Sequence, residues 1–299
     1  MVINIFESWL RNPSKIILFD GGMGTEIFKY GITPGKLPDL LNIEQPDVIS
    51  EIHKSYYLAG SDMCQTNTFG SNFLNLQKYK LENRIKEINE KALENLKKAC
   101  PPEHLMVGDI GPSGEYKPPI GKATFDQWYS SYLEQVKHLE AGVDLWHIET
   151  ISDIDEMIAA IKAIKKLSNK PIISSMTYKK TKRGFFTIMG HSLQQCIEKV
   201  EDEKVEVIGS NCTLASKDMI ELVGEMSKFT TKPLSIKPNA GKPRVKPGGL
   251  TYYDQSEKEF GKDILEIIEA GAKIVGGCCG TSPKTIRDVK DRIDSYIKK

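Results

Sequence analysis

The sequence predicts a single α/β domain in which eight parallel strands alternate with helices, the arrangement of a (β/α)8 or TIM barrel. Eight short runs of β-forming apolar residues alternate along the chain with amphipathic stretches. Eight such units in 299 residues match the usual size of this barrel, and no Pro-rich or Ser/Gly-rich linker divides the chain. We therefore expect one domain over residues 1–299.

Each predicted strand is a run of mainly apolar residues that ends in turn-forming or small polar residues. The first four strands are predicted at residues 15–22, 62–69, 104–112 and 144–151, and the other four at 170–178, 204–212, 232–241 and 272–280. Between them, stretches such as ENRIKEINEKALENLKK, FDQWYSSYLEQVKHLEAG and SDIDEMIAAIKAIKKL have the apolar spacing of surface helices.

A doubly wound sheet is the competing arrangement for alternating strands and helices. That fold commonly carries a G-x-G-x-x-G phosphate-binding turn after its first strand. Here the first strand runs into FDGGMGTE, in which the glycine spacing is different. The sequence therefore favours the barrel.

Composition restricts the class of function. Forty-one basic residues against 40 acidic ones give no net field that would attract nucleic acid, so none is expected as a partner. No apolar run reaches the roughly 18 to 20 residues that cross a bilayer, so we expect no membrane contact. Six cysteines and no secretory leader indicate a cytoplasmic protein with reduced thiols that acts on a small molecule.

Catalytic residues of a TIM barrel lie at the C-terminal ends of its strands. Seven of the eight predicted strand ends carry small, polar or thiol residues, namely DGGMGTE, QTNTF, GDIGPSG, HIET, SNC, PNAG and GGCCG. The fifth strand ends in SSMTYKK, which is less distinctive. This concentration of polar residues is difficult to explain by packing and predicts a site at this face.

Three thiols belong to these strand ends. Cys212 ends the sixth predicted strand, and the adjacent Cys278 and Cys279 end the eighth. A disulfide between sequence neighbours is strained, so a metal or a nucleophile is the better interpretation of the pair. Three protein thiolates with one open position are typical of catalytic zinc. The other cysteines are expected to be ordinary buried or helix-end residues, namely Cys64, Cys100 and Cys196.

An all-sulfur ligand set also indicates the type of reaction. Three thiolates make zinc a poor activator of water but a good holder of a further soft ligand. A substrate thiol bound there loses its proton near neutral pH and stays nucleophilic. We therefore expect a substrate thiolate that attacks an electrophilic carbon.

The motifs FDGGMGTE, QTNTF, GSNC and GGCCGT resemble those of the homocysteine S-methyltransferases, in the same order and over nearly the whole chain. The resemblance implies zinc-dependent methyl transfer to the thiol of L-homocysteine, which gives methionine. It also implies that the zinc ligands are Cys212, Cys278 and Cys279. The PNAG motif resembles the methionine synthase version, in which the asparagine, here Asn239, caps zinc when substrate is absent.

By the same resemblance, the amino-acid end of homocysteine is held by Asp20, Gly21, Gly22 and Glu149. These residue types suit the task, because glycine amides can approach a carboxylate closely and carboxylates can neutralise an ammonium group. Neither the fold nor the family gives a role to His147, so we expect a hydrogen-bonded core histidine.

The methyl donor is suggested by two departures from the betaine-using members, which carry aromatic residues where this chain has Gly70 and Thr150. Quaternary ammonium groups are usually held by aromatic faces, so betaine is disfavoured. QTNTFGSN and PNAG are similar to methionine synthase, which implies a methylcorrinoid donor. Because the chain ends at Lys299 after the eighth helix, we expect the corrinoid on a separate protein.

Two basic segments, YKKTKRG and GKPRVKPGG, follow the fifth and seventh predicted strands. They could dock an acidic corrinoid protein, although ordinary solvated loops look the same in a sequence. Their basic residues are Lys179, Lys180, Lys182, Arg183, Lys242, Arg244 and Lys246.

Three alternatives stay open. The enzyme could use S-methylmethionine or another sulfonium or ammonium donor, or it could methylate a different small thiol. More remotely, the chain could be a non-catalytic module that binds zinc or thiols, and turnover with any methyl donor would exclude that interpretation.

Overall fold

The structure, a computed structural model, describes residues 5–31, 36–245 and 251–298, and its central element is a parallel sheet of eight strands. The strands, numbered in chain order, are β1 (Ile17–Leu18), β2 (Met63–Gln65), β3 (Leu105–Ile110), β4 (Leu145–Ile151), β5 (Ile172–Met176), β6 (Val207–Ala215), β7 (Leu234–Asn239) and β8 (Ala272–Val275).

The sheet curves into a barrel. Its strands pair in chain order from β2 to β8, and β8 then pairs with β1. A single parallel bridge between Phe19, just after β1, and Met63 of β2 joins the two edges. The (β/α)8 arrangement predicted from the sequence is therefore confirmed.

Within the described residues, helices surround the barrel. They are α1 (Ile5–Arg11), α2 (Met23–Ile27), α3 (Leu41–Glu44), α4 (Pro46–Ala59), α5 (Phe73–Lys78), α6 (Ile85–Ala99), α7 (Phe125–Leu139), α8 (Ile154–Leu167), α9 (Leu193–Asp202), α10 (Ser216–Met226), α11 (Glu257–Glu269) and α12 (Pro283–Ile297). The long helices bury one face against the outside of the strands, as their apolar spacing predicts.

Several outer helices begin at a capping box encoded in the sequence. At the start of α7, the Thr124 hydroxyl accepts from the Gln127 amide, and the Gln127 side chain accepts from the Thr124 amide. The same motif begins α9 at Ser192, α11 at Ser256 and α12 at Ser282. Each cap contributes about 0.5–2 kcal/mol and fixes where the preceding loop ends.

The barrel interior changes character from one end to the other. Alternate residues of a strand share a face, so Leu145, His147 and Glu149 of β4 follow one another up the interior. The lower layer is apolar and consists of Phe6, Ile17, Phe19, Met63, Leu105, Val107, Leu145, Ile173, Val207 and Ile274. Helix α1 supplies Phe6 to this layer and closes the N-terminal end of the barrel.

Some strands end earlier than the sequence predicts. β1 ends at Leu18 and β8 ends at Val275, so Asp20 and the cysteine pair lie in loops. Backbone amides in these loops still bond to neighbouring strands, since Gly277 donates to the Asp20 carbonyl at 2.9 Å and Cys278 donates to the Pro238 carbonyl at 2.8 Å. The loops therefore continue the barrel wall without regular pairing.

Two antiparallel hairpins extend from the C-terminal side. One pairs Lys179–Thr181 with Gly184–Phe186 after β5, and the other pairs Arg244–Val245 with Thr251–Tyr252 after β7. The two predicted basic segments thus lie mainly in hairpins, and Lys246 falls outside the described residues.

Candidate active site

The three predicted thiols come together at one place. One sulfur from each of Cys212, Cys278 and Cys279 lies within 4.8 Å of the others, and all three residues are partly exposed. Tetrahedral thiolate ligands at about 2.3 Å from zinc would be about 3.8 Å apart, so a small adjustment would suffice. Cys212 comes from β6, while the other two lie in the loop after β8.

An unusual backbone presents Cys212. Cys212 and Thr213 have φ angles of +57° and +50°, the left-handed region that costs non-glycine residues about 1–2 kcal/mol each. The pairing register with β7 shifts between Asn211 and Ala215 at the same place. Strain of this kind persists where the surroundings impose it, and it commonly marks a functional site.

The Gly21–Gly22 turn lets the loop after β1 approach the loop after β8. A Cβ on Gly22 would lie 2.6 Å from the carbonyl oxygen of Cys278, and one on Gly21 would lie 2.7 Å from Thr281 Oγ1. The Gly22 amide donates to Thr281 Oγ1 at 3.0 Å. These glycines are therefore required for packing beside the thiols, and only backbone fits between the two loops.

The sulfurs interact with one another and with Tyr253. Hydrogen bonds from Cys212 and then Cys278 lower the pKa of the Cys279 thiol, and Tyr253 lowers it further. Hydrogen bonding to Cys212 and then Cys279 raises the pKa of the Cys278 thiol. The lowered pKa of Cys279 therefore favours a thiolate at that position of the cluster.

The cluster fits zinc on two observations of this chain. The donor set is three soft sulfurs with access from solvent. In addition, Asn239 Oδ1 is buried without a hydrogen-bond partner among the described residues, and the following amide, of Ala240, donates to the Cys279 carbonyl at 3.0 Å. The unpaired Asn239 oxygen, in the segment bonded to the Cys279 backbone, is therefore a candidate fourth ligand for zinc.

Glu149 lies beside the thiols and is buried. Its Oε1 accepts from Gln65 Nε2 at 2.9 Å, and its Oε2 accepts from Asn211 Nδ2 at 2.8 Å. Burial raises the pKa of the Glu149 carboxyl to about 7, against the lowering effect of Lys237. Asn211 Nδ2 also lies 3.9 Å from Cys278 Sγ, so one side chain links the carboxylate to the thiol cluster.

Asp20 has a partner that the sequence did not predict. Its Oδ1 accepts from the Lys237 ammonium at 2.8 Å, and its Oδ2 accepts from the Gln65 backbone amide at 2.9 Å. The Lys237 side chain is only 2% exposed and lies inside the upper part of the barrel. The predicted substrate residues Asp20 and Glu149 are therefore connected through Gln65.

His147 has the role that was expected of it. Its Nδ1 lies 2.8 Å from Gln65 Oε1 and its Nε2 lies 2.9 Å from Ser175 Oγ. Because the Gln65 amide nitrogen must donate to Glu149, Oε1 is an acceptor and His147 carries its hydrogen on Nδ1. Burial lowers the pKa of His147 well below its usual value, so the ring is neutral and holds Gln65 in place.

Sequence reasoning missed three side chains of this network. Gln65 and Asn211 stand inside the motifs QTNTF and GSNC, but only the structure shows which atoms they bridge. Lys237 had a signal in the sequence, because this lysine stands between the mainly apolar run PLSI and the motif PNAG. A charged residue within a barrel strand is costly to bury unless it is paired.

The remaining cysteines are separate from the cluster, as predicted. Cys64 is buried in β2, Cys196 is buried in α9, and Cys100 follows the last residue of α6.

Of the basic rim residues, Lys180 pairs with Glu221, and Arg244 pairs with Asp254 at 2.7 Å.

This arrangement of motifs agrees with one family. The sequence profile of the family described as Homocysteine S-methyltransferase matches residues 17–293. The chain belongs to the homocysteine S-methyltransferase family. The resemblance noted in the sequence motifs is thereby confirmed over almost the full length of this family member.

Relatives of this family member include two mycobacterial proteins. The methionine synthase of Mycobacterium leprae (strain TN) is 29% identical over 293 residues, and that of Mycobacterium tuberculosis (strain ATCC 25618 / H37Rv) is 28% identical over 293 residues. Each alignment covers 92% of the chain but 24% of the relative. The chain thus spans about a quarter of the length of these curated relatives.

Solved structures confirm the fold of this homocysteine S-methyltransferase family member. The metallated form of the homocysteine methyltransferase MmuM from Escherichia coli superposes with a TM-score of 0.81 at 23% identity, covering 96% of this chain and 99% of that one. A more distant barrel, in pyruvate carboxylase from Rhizobium etli, gives 0.55 at 14% identity over 98% of this chain and 28% of that one. No helix among the described residues is long and apolar enough to span a membrane.

Proposed function

We propose that this protein transfers a methyl group to the thiol of L-homocysteine and so produces methionine, with zinc at the thiol cluster and a methylcorrinoid on a separate protein as donor. One observation carries the proposal. The three sulfurs that suit a metal lie next to Glu149, a buried carboxylate that suits an ammonium group, and Asn211 contacts both.

The residues that would hold zinc are Cys212, Cys278 and Cys279, with Asn239 as a fourth ligand before substrate binds. When bound there, zinc supplies a positive charge that keeps the substrate thiol ionised near neutral pH. Asn211 Nδ2 lies 3.9 Å from Cys278 Sγ, and Tyr253 lowers the pKa of the Cys279 thiol, so both side chains lie near sulfurs that would hold zinc. In the transfer, the substrate sulfur forms a bond to the methyl carbon while the bond from that carbon to the donor breaks.

The amino-acid end would bind where Glu149 meets Gln65 and Asn211. The ammonium of homocysteine supplies the opposite charge that the buried Glu149 side chain lacks at contact distance. The turn at Asp20, Gly21 and Gly22 forms the neighbouring wall and would face the substrate carboxylate. Of its amides, that of Gly22 is already bonded to Thr281, so Gly21 is the better candidate donor.

The donor proposal is supported by packing at the two positions where betaine-using members carry aromatic residues. A Cβ on Gly70 would lie 2.7 Å from Asn75 Nδ2 and 2.8 Å from Leu37 Cδ1, which leaves no room for a ring. Thr150 Oγ1 accepts from Asn211 Nδ2 at 2.8 Å. These two positions therefore offer no aromatic face for a quaternary ammonium.

A cytoplasmic location belongs to the same proposal, because three free thiols require a reducing compartment.

The test is to supply methylcobalamin, betaine, S-methylmethionine and S-adenosylmethionine in parallel to the zinc-loaded protein and to quantify methionine formed from labelled homocysteine. We expect slow methionine formation with free methylcobalamin and faster formation when a corrinoid protein presents it, since docking replaces a diffusive encounter by a positioned one. Rapid turnover with S-methylmethionine and none with methylcobalamin would overturn the donor. Absence of turnover with every donor would favour a non-catalytic zinc module.

The acceptor is tested in the same assay. Cysteine and mercaptoethanol replace homocysteine, and methylation of either at an equal rate would show that another thiol is the acceptor. We expect a preference for homocysteine, because its ammonium can reach Glu149 while its sulfur lies at the cluster.

A further inference from the structure

Lys237 is a fully formed lysine side chain inside the barrel, next to the residues proposed to bind the substrate ammonium. Its Nζ lies 2.8 Å from Asp20 Oδ1, 3.1 Å from Gln65 Oε1 and 3.7 Å from the ring centroid of Phe19. These contacts come from the segment just after β1, which carries Phe19 and Asp20, and from Gln65 of β2.

The contacts leave Lys237 with nothing to offer a ligand. A lysine ammonium has three hydrogens, and two acceptors together with an aromatic face use all of them. Asp20 already has a cationic partner, because Oδ1 accepts from the Lys237 ammonium at 2.8 Å while Oδ2 accepts from the Gln65 amide. The charge of Asp20 is therefore already balanced by Lys237, and a second ammonium group placed there would meet the Lys237 cation.

Glu149 differs from Asp20 in this respect. Its two hydrogen-bond donors, on Gln65 and Asn211, are neutral amides. In the described part of the chain, the ionisable nitrogen of a base within 4 Å of it is Nδ1 of His147 at 3.9 Å, whose hydrogen points to Gln65. Glu149 therefore has hydrogen bonds but no cation in contact with it.

We propose that Lys237 is a positioning residue that withdraws Asp20 from substrate binding and so assigns the substrate ammonium to Glu149. The inference rests on the proposed function, since it takes an amino-acid thiol as the ligand. Asp20 and Lys237 act as one neutral unit that supports the floor of the pocket, and Glu149 supplies the charge that the ligand meets.

The test measures how much the ligand ammonium contributes to binding affinity. Dissociation constants are measured by calorimetry on the zinc-loaded full chain for L-homocysteine and for 4-mercaptobutanoate, which keeps the thiol and carboxylate but lacks the ammonium. The ratio of the second constant to the first is the ammonium selectivity. Zinc content and melting temperature are recorded for every variant.

Asp20→Asn leaves Lys237 as an uncompensated cation beside the ligand ammonium, so we expect it to lower the selectivity by about tenfold, the size of one lost charge-assisted interaction. Adding Lys237→Met to Asp20→Asn removes both charges at similar volume and should restore the selectivity to within about threefold of the unmodified protein. The matched control, Glu149→Gln, should lower it by about tenfold or more with zinc retained.

The inference is overturned if the double variant keeps the full deficit of Asp20→Asn, because the ammonium would then contact Asp20 itself. If Asp20→Asn does not fold, the double variant is compared with Glu149→Gln, and equal losses in these two overturn the inference just as clearly. Failure of the proposed function is a distinct result, since the unmodified protein would then bind homocysteine no better than 4-mercaptobutanoate.

Discussion

At the scale of single residues, the role of a cysteine in this chain depends on its neighbours. Cys64 and Cys196 are buried among apolar side chains, where burial raises the pKa of each thiol and keeps it protonated. The three cysteines in β6 and in the loop after β8 instead meet one another and are partly exposed. Only in the second setting can thiolates accumulate on a metal.

The first prediction follows from that difference. Replacing Cys212, Cys278 or Cys279 by serine should reduce bound zinc well below one ion per chain, because a hydroxyl is a weaker zinc ligand than a thiolate. Zinc is measured by mass spectrometry of desalted protein. Cys100→Ser, at the end of α6, is the control and should keep its zinc. Unchanged zinc in all three cluster variants would remove the site.

The second prediction concerns pH. Burial raises the pKa of Glu149 from 4.5 to about 7, so the carboxyl is largely neutral below pH 7 and charged above it. The selectivity for homocysteine over 4-mercaptobutanoate should therefore fall as the pH drops from about 8 to about 6. The ratio cancels effects on the thiol, which both ligands share. Glu149→Gln should give a flat ratio, and a sloping one would assign the titration to another group.

The raised pKa of Glu149 also affects folding stability, which falls with rising pH whereas the ligand selectivity rises. Between pH 4.5 and about 7 the folded protein keeps a proton on Glu149 that the unfolded chain releases. The contribution of this group to the free energy of unfolding is thus present below pH 4.5 and declines as the pH rises through that window. The charge useful for binding an ammonium is therefore acquired at the expense of stability.

At the scale of elements, periodicity predicted the strands well and their ends less well. β4 was predicted at 144–151 and is Leu145–Ile151, because its apolar residues pair with neighbours on both sides. β8 was predicted to reach residue 280 but ends at Val275. Its Gly-rich continuation bonds through single amides, and local sequence does not record such long-range partners.

In the candidate site, too, some features could be predicted from the sequence and others depend on long-range contacts. Cys212, Cys278, Cys279 and Glu149 could be placed at one face from the strand order alone. The pairing of Lys237 with Asp20 could not be predicted, because lysine is usually exposed and the two residues are 217 positions apart in the chain. Pairwise contacts between distant motifs are set by barrel closure, which composition and spacing do not encode.

The third prediction belongs to helix α1. Phe6 is 0% exposed and packs into the lower apolar layer of the barrel. Phe6→Ala should lower the free energy of unfolding by about 3–5 kcal/mol, through lost transfer energy and the cavity that remains. Denaturant unfolding of the zinc-loaded protein measures it. Because the polar upper layer lies between α1 and the thiols, the dissociation constant of homocysteine should stay unchanged, and a large change would contradict the layered interior.

At the scale of the whole molecule, the charged rim is less basic than its sequence suggests. Lys180 and Arg244 are paired with acidic residues, whereas Lys179, Lys182 and Arg183 lie exposed in the hairpin after β5. Ile188, just after the first hairpin, and Val245, within the second, are also exposed, at 62% and 70%. A rim that combines cations with apolar side chains is typical of a surface that meets another protein.

The fourth prediction tests that surface. Changing Lys179, Lys182 and Arg183 to glutamate should slow methyl transfer from a corrinoid protein, with the loss growing at low salt, and should spare transfer from free methylcobalamin. The matched control reverses three exposed lysines on outer helices to glutamate, namely Lys54 in α4, Lys97 in α6 and Lys166 in α8. Equal losses with both donors would mean that the hairpin shapes the pocket rather than the docking surface.

Closure of the barrel floor by α1 has a consequence for kinetics. Because the lower layer fills one end of the barrel, the proposed function requires both reactants and both products to pass through the other end. Glu149 is buried and the sulfurs are partly exposed, so under the proposed function we expect the amino-acid thiol to enter first and the bulky donor to follow. Steady-state rates should therefore follow a compulsory order: methionine competes with homocysteine, and excess donor slows turnover by covering the mouth while the pocket is still vacant.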